Sequence, residues 1–158
     1  MKNIIRDFIG SKKIAIVGTS ENTGNWGKSL MDELIKKGYE IIPVNPGCEQ
    51  IGGVKCYASV KDLPPDIESV IIAVPPLITE QIIDEMDGTK IKRVWMHRGA
   101  GKGAYSEKAK EICKKNRIDV VYGFCPMMFF GDGFHRFHLW IRNTFGKLPP
   151  EYKLILKH

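Results

Sequence analysis

Apolar residues along this chain switch between two spacings, and the switching predicts the elements. Ile4, Ile5, Phe8 and Ile9 recur at helical spacing and predict a short helix over residues 2–10. Ile14-Ala15-Ile16-Val17 is a continuous apolar run ending at Gly18, which predicts a first strand over 13–18. Leu30, Met31, Leu34 and Ile35 return to helical spacing ahead of Lys36-Lys37-Gly38, so a helix is expected over 26–37. Tyr39 to Val44 reads as a second strand, with Pro43 marking a sheet edge or a strand end. Val54 to Tyr57 reads as a short third strand, and Ser59 to Leu63 as a helical turn stopped by Pro64-Pro65. The apolar run from Ser69 to Val74 has the character of a central parallel strand buried on both faces. A helix over 77–87, a fifth strand from Arg93 to His97, a helix over 107–116 capped by Ser106 and a sixth strand from Asp119 to Tyr122 complete the series.

Strands alternating with helices at this rhythm predict an α/β fold, Rossmann-like and three-layered, with a mostly parallel sheet. No repeat or low-complexity linker interrupts it. Residues 1–126 are therefore read as one domain, and 127–158 as an aromatic-rich helical extension packing on that domain or on a partner subunit.

Ligands of such sheets gather beyond the carboxyl ends of the strands, near the point where strand order reverses. The residues there are Gly18-Thr19-Ser20, Asn45-Pro46, Pro75-Pro76 and His97-Arg98-Gly99. Strand, glycine loop and helix in succession present backbone N–H groups and a positive helix end to a phosphate, which makes a phosphorylated nucleotide the first expectation. The dinucleotide fingerprint is incomplete: Thr19-Ser20 follows Gly18 where a second glycine is needed, and the acidic ribose-binding position falls near Asn45. Gly27-Lys28-Ser29 matches the end of a P-loop, but Asn22 stands where its first glycine belongs, and Trp26 is bulky for a tight phosphate cradle. A glycine at such a turn also arises wherever φ must be positive, and that plainer reading stays open.

Composition narrows the classes. A length of 158 residues with 43% hydrophobic content suits one globular domain. No apolar run approaches the ~20 residues that span a bilayer, and the N-terminus lacks a signal-peptide pattern, so a cytoplasmic protein is expected. Cys48, Cys56, Cys113 and Cys125 show no C-x-x-C spacing and are expected to be free thiols. The net charge of +6 suits an acidic ligand, but the basic residues are scattered among acidic neighbours, which argues against nucleic acid.

The segments IAIVGTSEN, NWGKSL, YEIIPVNP, GVKCYASVKDLP, IIAVPP and VWMHRGAG together resemble the stand-alone CoA-binding proteins, whose domain is similar to the CoA-binding N-terminal domain of the succinyl-CoA synthetase α subunit. The resemblance covers about residues 10 to 126. It implies CoA or an acyl-CoA as ligand, with Gly18, Thr19 and Ser20 holding phosphates and Asn22 and Trp26 lining the same loop. Pro43, Asn45 and Pro46 would border the adenosine end. Val74, Pro75 and Pro76 would wall the nucleotide or the pantetheine arm, and His97 would be a structural or ligand-lining histidine. Family members often carry a lysine after the V-N-P segment; Gly47 stands there in this chain, with Lys55 or Lys28 as substitutes.

No nucleophile–base pair is evident, so no catalytic residue is assigned, and a non-catalytic carrier, sensor or regulatory module is expected. The alternatives are an NAD-type oxidoreductase or an acyl-CoA ligase component lacking its catalytic domain. In the tail, Phe134, Phe137, Trp140, Ile141 and Phe145 form an apolar stripe suited to packing or to a homodimer contact. His135 and His138 are three apart, but no ligand set completes around them, and no metal is expected. Cys125 would lie near the thiol end of CoA, where an inert buried thiol is favoured over a mixed disulfide.

Overall fold

The computed structural model describes residues 3–98 and 103–130. Its strands are β1 (Lys13–Val17), β2 (Glu40–Val44), β3 (Gln50–Ile51), β4 (Val54–Lys55), β5 (Ser69–Ile72), β6 (Arg93–Met96) and β7 (Asp119–Tyr122). Its helices are α1 (Ile4–Gly10), α2 (Trp26–Lys36), α3 (Pro76–Glu85), α4 (Glu107–Lys115) and α5 (Met127–Phe130). Five strands form one parallel sheet in the order β2-β1-β5-β6-β7. After β1 the chain steps outward to β2, then crosses back to β5 on the other side of β1. Strand order therefore reverses between β1 and β5, where an α/β sheet opens its crevice.

Every residue of β5 is buried, as its unbroken apolar run requires of a strand covered on both faces. One face packs α1, α2 and α5 over Ile14, Ile16, Ile71 and Trp95, with Phe8 edge-on to Trp95 at 5.4 Å between ring centroids. The other face packs α3 and α4 over the aliphatic Ala15, Val17, Val70, Ile72 and Val94. Burying a large apolar side chain contributes about 1.5–3 kcal/mol, so these two cores dominate the driving force. Met128 and Phe130 of α5 are buried in the first of them, so the packed unit includes residues 127–130. The aromatic stripe and histidine pair of the tail, residues 134–145, lie outside the described residues.

Two expectations are corrected. Val54 to Tyr57 does not join the main sheet as a strand: β3 and β4 form a separate antiparallel hairpin, and only Tyr57 bridges to Val44 of β2. β5 stops at Ile72, although the Ala73 N–H still donates to the Val17 carbonyl at 2.9 Å. Val74 is thereby released into the loop, and Pro75-Pro76 starts α3 directly, proline being suited to the first helical turn. Pro43 sits within β2, an edge strand, where its missing N–H costs nothing on the outer side.

Candidate functional site

Gly18 leaves β1 with φ of +98°, and a Cβ there would lie 2.5 Å from the Ala73 carbonyl oxygen. Only glycine lets the loop turn this closely over the end of β5. Gly27, in the first turn of α2, is the counterpart: its Cβ would lie 2.7 Å from the Gly18 carbonyl oxygen. The start of an 11-residue helix is thus pressed directly onto the glycine loop, placing its positive end there.

Asn25 holds the loop in shape. Its Oδ1 accepts from Lys28 N–H at 2.7 Å, capping α2, and from Ser20 N–H at 3.2 Å, while its Nδ2 donates to the Gly18 carbonyl at 3.1 Å. Asn45, just past β2, braces the other side. Its Nδ2 donates to the Thr19 carbonyl at 2.7 Å, and its Oδ1 accepts from Gly47 N–H at 2.8 Å. The β3–β4 hairpin closes a third side, with Gly52 N–H donating to the Glu21 carboxylate.

Inside this brace Thr19 is fully buried, and its Oγ1 has no hydrogen-bond partner among the described residues. Nδ1 of His97, past the end of β6, is the second buried polar side-chain atom without a partner among the described residues. The His97 ring stacks on Trp26 at 3.5 Å between centroids and 20° between planes. Burial pushes the imidazole pKa down to about 4, so the ring is neutral at physiological pH. A buried polar atom left unpaired costs about 1–3 kcal/mol, and two of them at one end of the sheet point to a polar ligand completing the set.

Beside the loop, on the α3 face, opens a cleft of about 380 Å³. Gly18, Asn45, Pro46 and Val74 line it, with Val60 and Ile82 adding apolar wall. Its polar edge is Glu85, whose carboxylate accepts from Ser59 Oγ at 2.7 Å. A concave, mainly apolar cleft with a few polar groups is the usual form of a small-molecule site. Another cleft of about 330 Å³ lies at the opposite end of the sheet, lined by Lys61 and Lys90 among others, away from the glycine loop.

Gly18, Thr19, Ser20, Trp26, Asn45, Pro46, Val74 and His97 therefore converge on the carboxyl ends of β1, β2, β5 and β6. Pro75 caps α3 and Pro76 begins it, next to Val74. Asn22 is exposed at the tip of the loop, where its N–H donates to Ser20 Oγ at 3.3 Å. Pro43 is buried in β2, one residue short of the cleft. Lys28 is engaged by Asp32 at 2.7 Å, and Lys55 lies over the Tyr57 ring at 4.9 Å. Burial raises the pKa of the Cys125 thiol, as suits an inert cysteine. Asn25 and Gly27 fall within the NWGKSL segment, but the sequence assigns neither of them a place in the site. An asparagine immediately before a helix is an N-cap signal, and that signal alone identifies Asn25.

No group of three or more His, Cys, Asp or Glu residues among the described residues is placed to hold a metal ion. Among them, no helix is long and apolar enough to cross a membrane.

The family model described as a CoA binding domain matches residues 12–130. The chain is 31% identical over 143 residues to an ADP-forming acetate–CoA ligase of Methanocaldococcus jannaschii, covering 88% of this chain and 20% of the ligase. It is 29% identical over 115 residues to the uncharacterized protein YneT of Bacillus subtilis, covering 73% of this chain and 82% of that protein. A solved structure of a conserved hypothetical protein from Pyrococcus furiosus superposes with a TM-score of 0.67 at 36% identity, covering 73% of this chain and 96% of that one. The chain spans about a fifth of the length of the curated ligases it matches first.

Proposed function

The chain belongs to the CoA-binding domain family, and on that premise we propose that it binds CoA or an acyl-CoA as a non-catalytic carrier, sensor or regulatory module. The observation that carries this reading is the fully buried, unpartnered Thr19 hydroxyl inside a glycine loop braced by Asn25 and Asn45. The residues present fit the ligand. Thr19, Ser20 and the N–H groups at the start of α2 would hold the pyrophosphate, and the cleft between Val60 and Val74 would take the adenosine. Trp26 and His97 would border the pantetheine arm, and what CoA supplies when bound is a thiol that carries acyl groups.

NAD is disfavoured on the same geometry. A dinucleotide site places a carboxylate at the end of the second strand for the ribose hydroxyls. Asn45 stands there instead, with both ends of its amide committed to the backbone. Calorimetric titration with CoA, acetyl-CoA and NAD⁺ tests the reading: micromolar CoA binding without an NAD⁺ signal is expected. NAD⁺ binding without CoA binding would overturn it and restore the oxidoreductase.

A second reading rests on the relatives whose names specify ADP-forming CoA ligases. In it the chain is the CoA-binding component of a ligase that works with a partner chain. The chain alone would then bind CoA without forming acyl-CoA from acid, CoA and ATP, and a co-purifying partner would restore that activity.

A further inference from the structure

Next to the ligand cleft, sharing Pro46 and Ala58 with it, lies a second cleft of about 600 Å³, and two of its wall residues are Cys48 and Cys56. From the structure we infer that these cysteines form a dithiol site, which closes to a Cys48–Cys56 disulfide by exchange with a low-molecular-weight disulfide entering this second cleft. The site is independent of what the glycine loop binds.

The hairpin brings the pair together. Gln50 faces Lys55 and Ile51 faces Val54 across β3 and β4, and the Cys56 N–H donates to the Glu49 carbonyl at 2.8 Å, so the ladder runs on to Glu49 and Cys56. Cys48 is one residue past that pair. A residue one step off register lies about 6 Å away between Cα atoms, within the roughly 4.4–6.8 Å that a disulfide spans. In a regular strand the side chains of such neighbours point to opposite faces. Here the chain leaves the strand at Cys48, whose N–H donates to the Asn45 carbonyl at 3.5 Å and closes a turn through Pro46-Gly47. The Cys56 thiol donates to that same carbonyl oxygen at 3.6 Å. One oxygen thus contacts the Cys48 backbone and the Cys56 sulfur, and both residues line the one cleft.

The two thiols divide the chemistry. Cys48 is half-buried, whereas Cys56 is buried. Burial raises the pKa of the Cys56 thiol, and charge on Cys48 adds to the rise, which follows from two sulfurs lying close together. Cys48 therefore attacks first. Its sulfur bonds to one sulfur of the incoming disulfide, the S–S bond breaks, and the released thiolate takes up the proton that Cys48 lost. The Cys56 sulfur then attacks the Cys48 sulfur and displaces the second small thiolate, which takes up the Cys56 proton. Two cysteine thiols are oxidised, and one small disulfide is reduced to two thiols. The second step is intramolecular, so a neighbour already in place outruns a thiol from solution. Cys113 and Cys125 stand apart: neither lines the cleft, Cys113 is buried in the aliphatic core, and burial raises both their pKa values.

Oxidised glutathione is the probe, added to the reduced full chain under native conditions. Acid quenching, alkylation of the remaining thiols in denaturant and peptide mass mapping follow. The unmodified chain should yield one peptide pair linked through Cys48 and Cys56, with Cys113 and Cys125 alkylated, and dithiothreitol should reverse the linkage. Cys56→Ser should stop at a stable glutathione adduct on Cys48. Cys48→Ser should form any adduct on Cys56 at least about tenfold more slowly, because a buried, protonated thiol is a poor nucleophile. The linked peptide is read on the unmodified chain, so a variant that fails to fold does not blur the result. Four free thiols after equilibration, a linkage between other cysteines, or a glutathione adduct that persists on Cys48 of the unmodified chain would overturn the inference.

Discussion

The two ends of the central sheet handle polar groups in opposite ways. At the amino end the charged groups flanking β1, β5 and β6 find partners on adjacent strands or loops. Lys13 meets Asp66 at 2.6 Å and Glu40 at 3.5 Å, and Glu68 meets Lys92 at 2.6 Å and Arg93 at 3.1 Å. Ser69, fully buried, accepts from Arg93 Nε at 2.9 Å and shares a 2.8 Å hydrogen bond with Ser11. At the carboxyl end Thr19 Oγ1 and His97 Nδ1 have no hydrogen-bond partner among the described residues, and Lys55 has no counter-ion among them. A chain that pairs its buried Ser69 and the charges around it at one end is able to do so at the other. Leaving them open where strand order reverses marks a place shaped for something outside the chain.

The sharpest test of this asymmetry is Gly18→Ala. The added Cβ meets the Ala73 carbonyl in a backbone conformation that alanine resists, at a cost of about 2–4 kcal/mol. Denaturant unfolding should show that loss, and calorimetry should show CoA binding abolished. Thr19→Val separates the two roles more cleanly. Removing an unsatisfied buried hydroxyl should leave the free protein unchanged or up to about 1 kcal/mol more stable, while weakening CoA about tenfold. A loss of stability with full CoA affinity would mean that the hydroxyl serves the fold.

His97 adds a pH dependence. Its folded pKa of about 4 lies below the ordinary value of 6.5, so the unfolded chain binds more protons between those two values. Stability conferred by the neutral ring is complete above pH 6.5 and drains away as pH falls toward 4. His97→Gln should flatten the denaturant midpoint against pH in that window, and an unchanged slope would show that another group titrates. Glu68→Gln, at the amino end, should matter least. Hydrogen bonding by Lys92 holds the Glu68 carboxyl below its usual range, yet the pair is solvent-screened, so the cost is under about 1 kcal/mol with CoA binding intact.

Much of this arrangement is legible in the chain itself. The run Ile14–Val17 and the helical spacing of Leu30, Met31 and Leu34 carry strong periodic signals, because each must bury a defined face in the core. Gly18 and Asn45 are legible for a related reason, standing where such elements end. The β3–β4 hairpin is not, because strands of two residues carry no period. Asn25 and Gly27 escape for a different cause. Their work is done on the backbone, through the Gly18 carbonyl and the Ser20 and Lys28 N–H groups and through the absence of a side chain, and residue spacing reveals neither role. The unpaired state of Thr19 is likewise a property of packing in three dimensions.

The stack of Trp26 on His97 gives the protein an optical reporter of its own. Trp95 is fully buried, with its indole N–H donating to the Phe124 carbonyl at 3.1 Å. Trp26 is only half-buried and shares its ring face with the His97 imidazole past the end of β6. A molecule that shifts that imidazole should alter the emission of Trp26 over the background of Trp95 and Trp140, so occupancy can be followed by light without attaching a label.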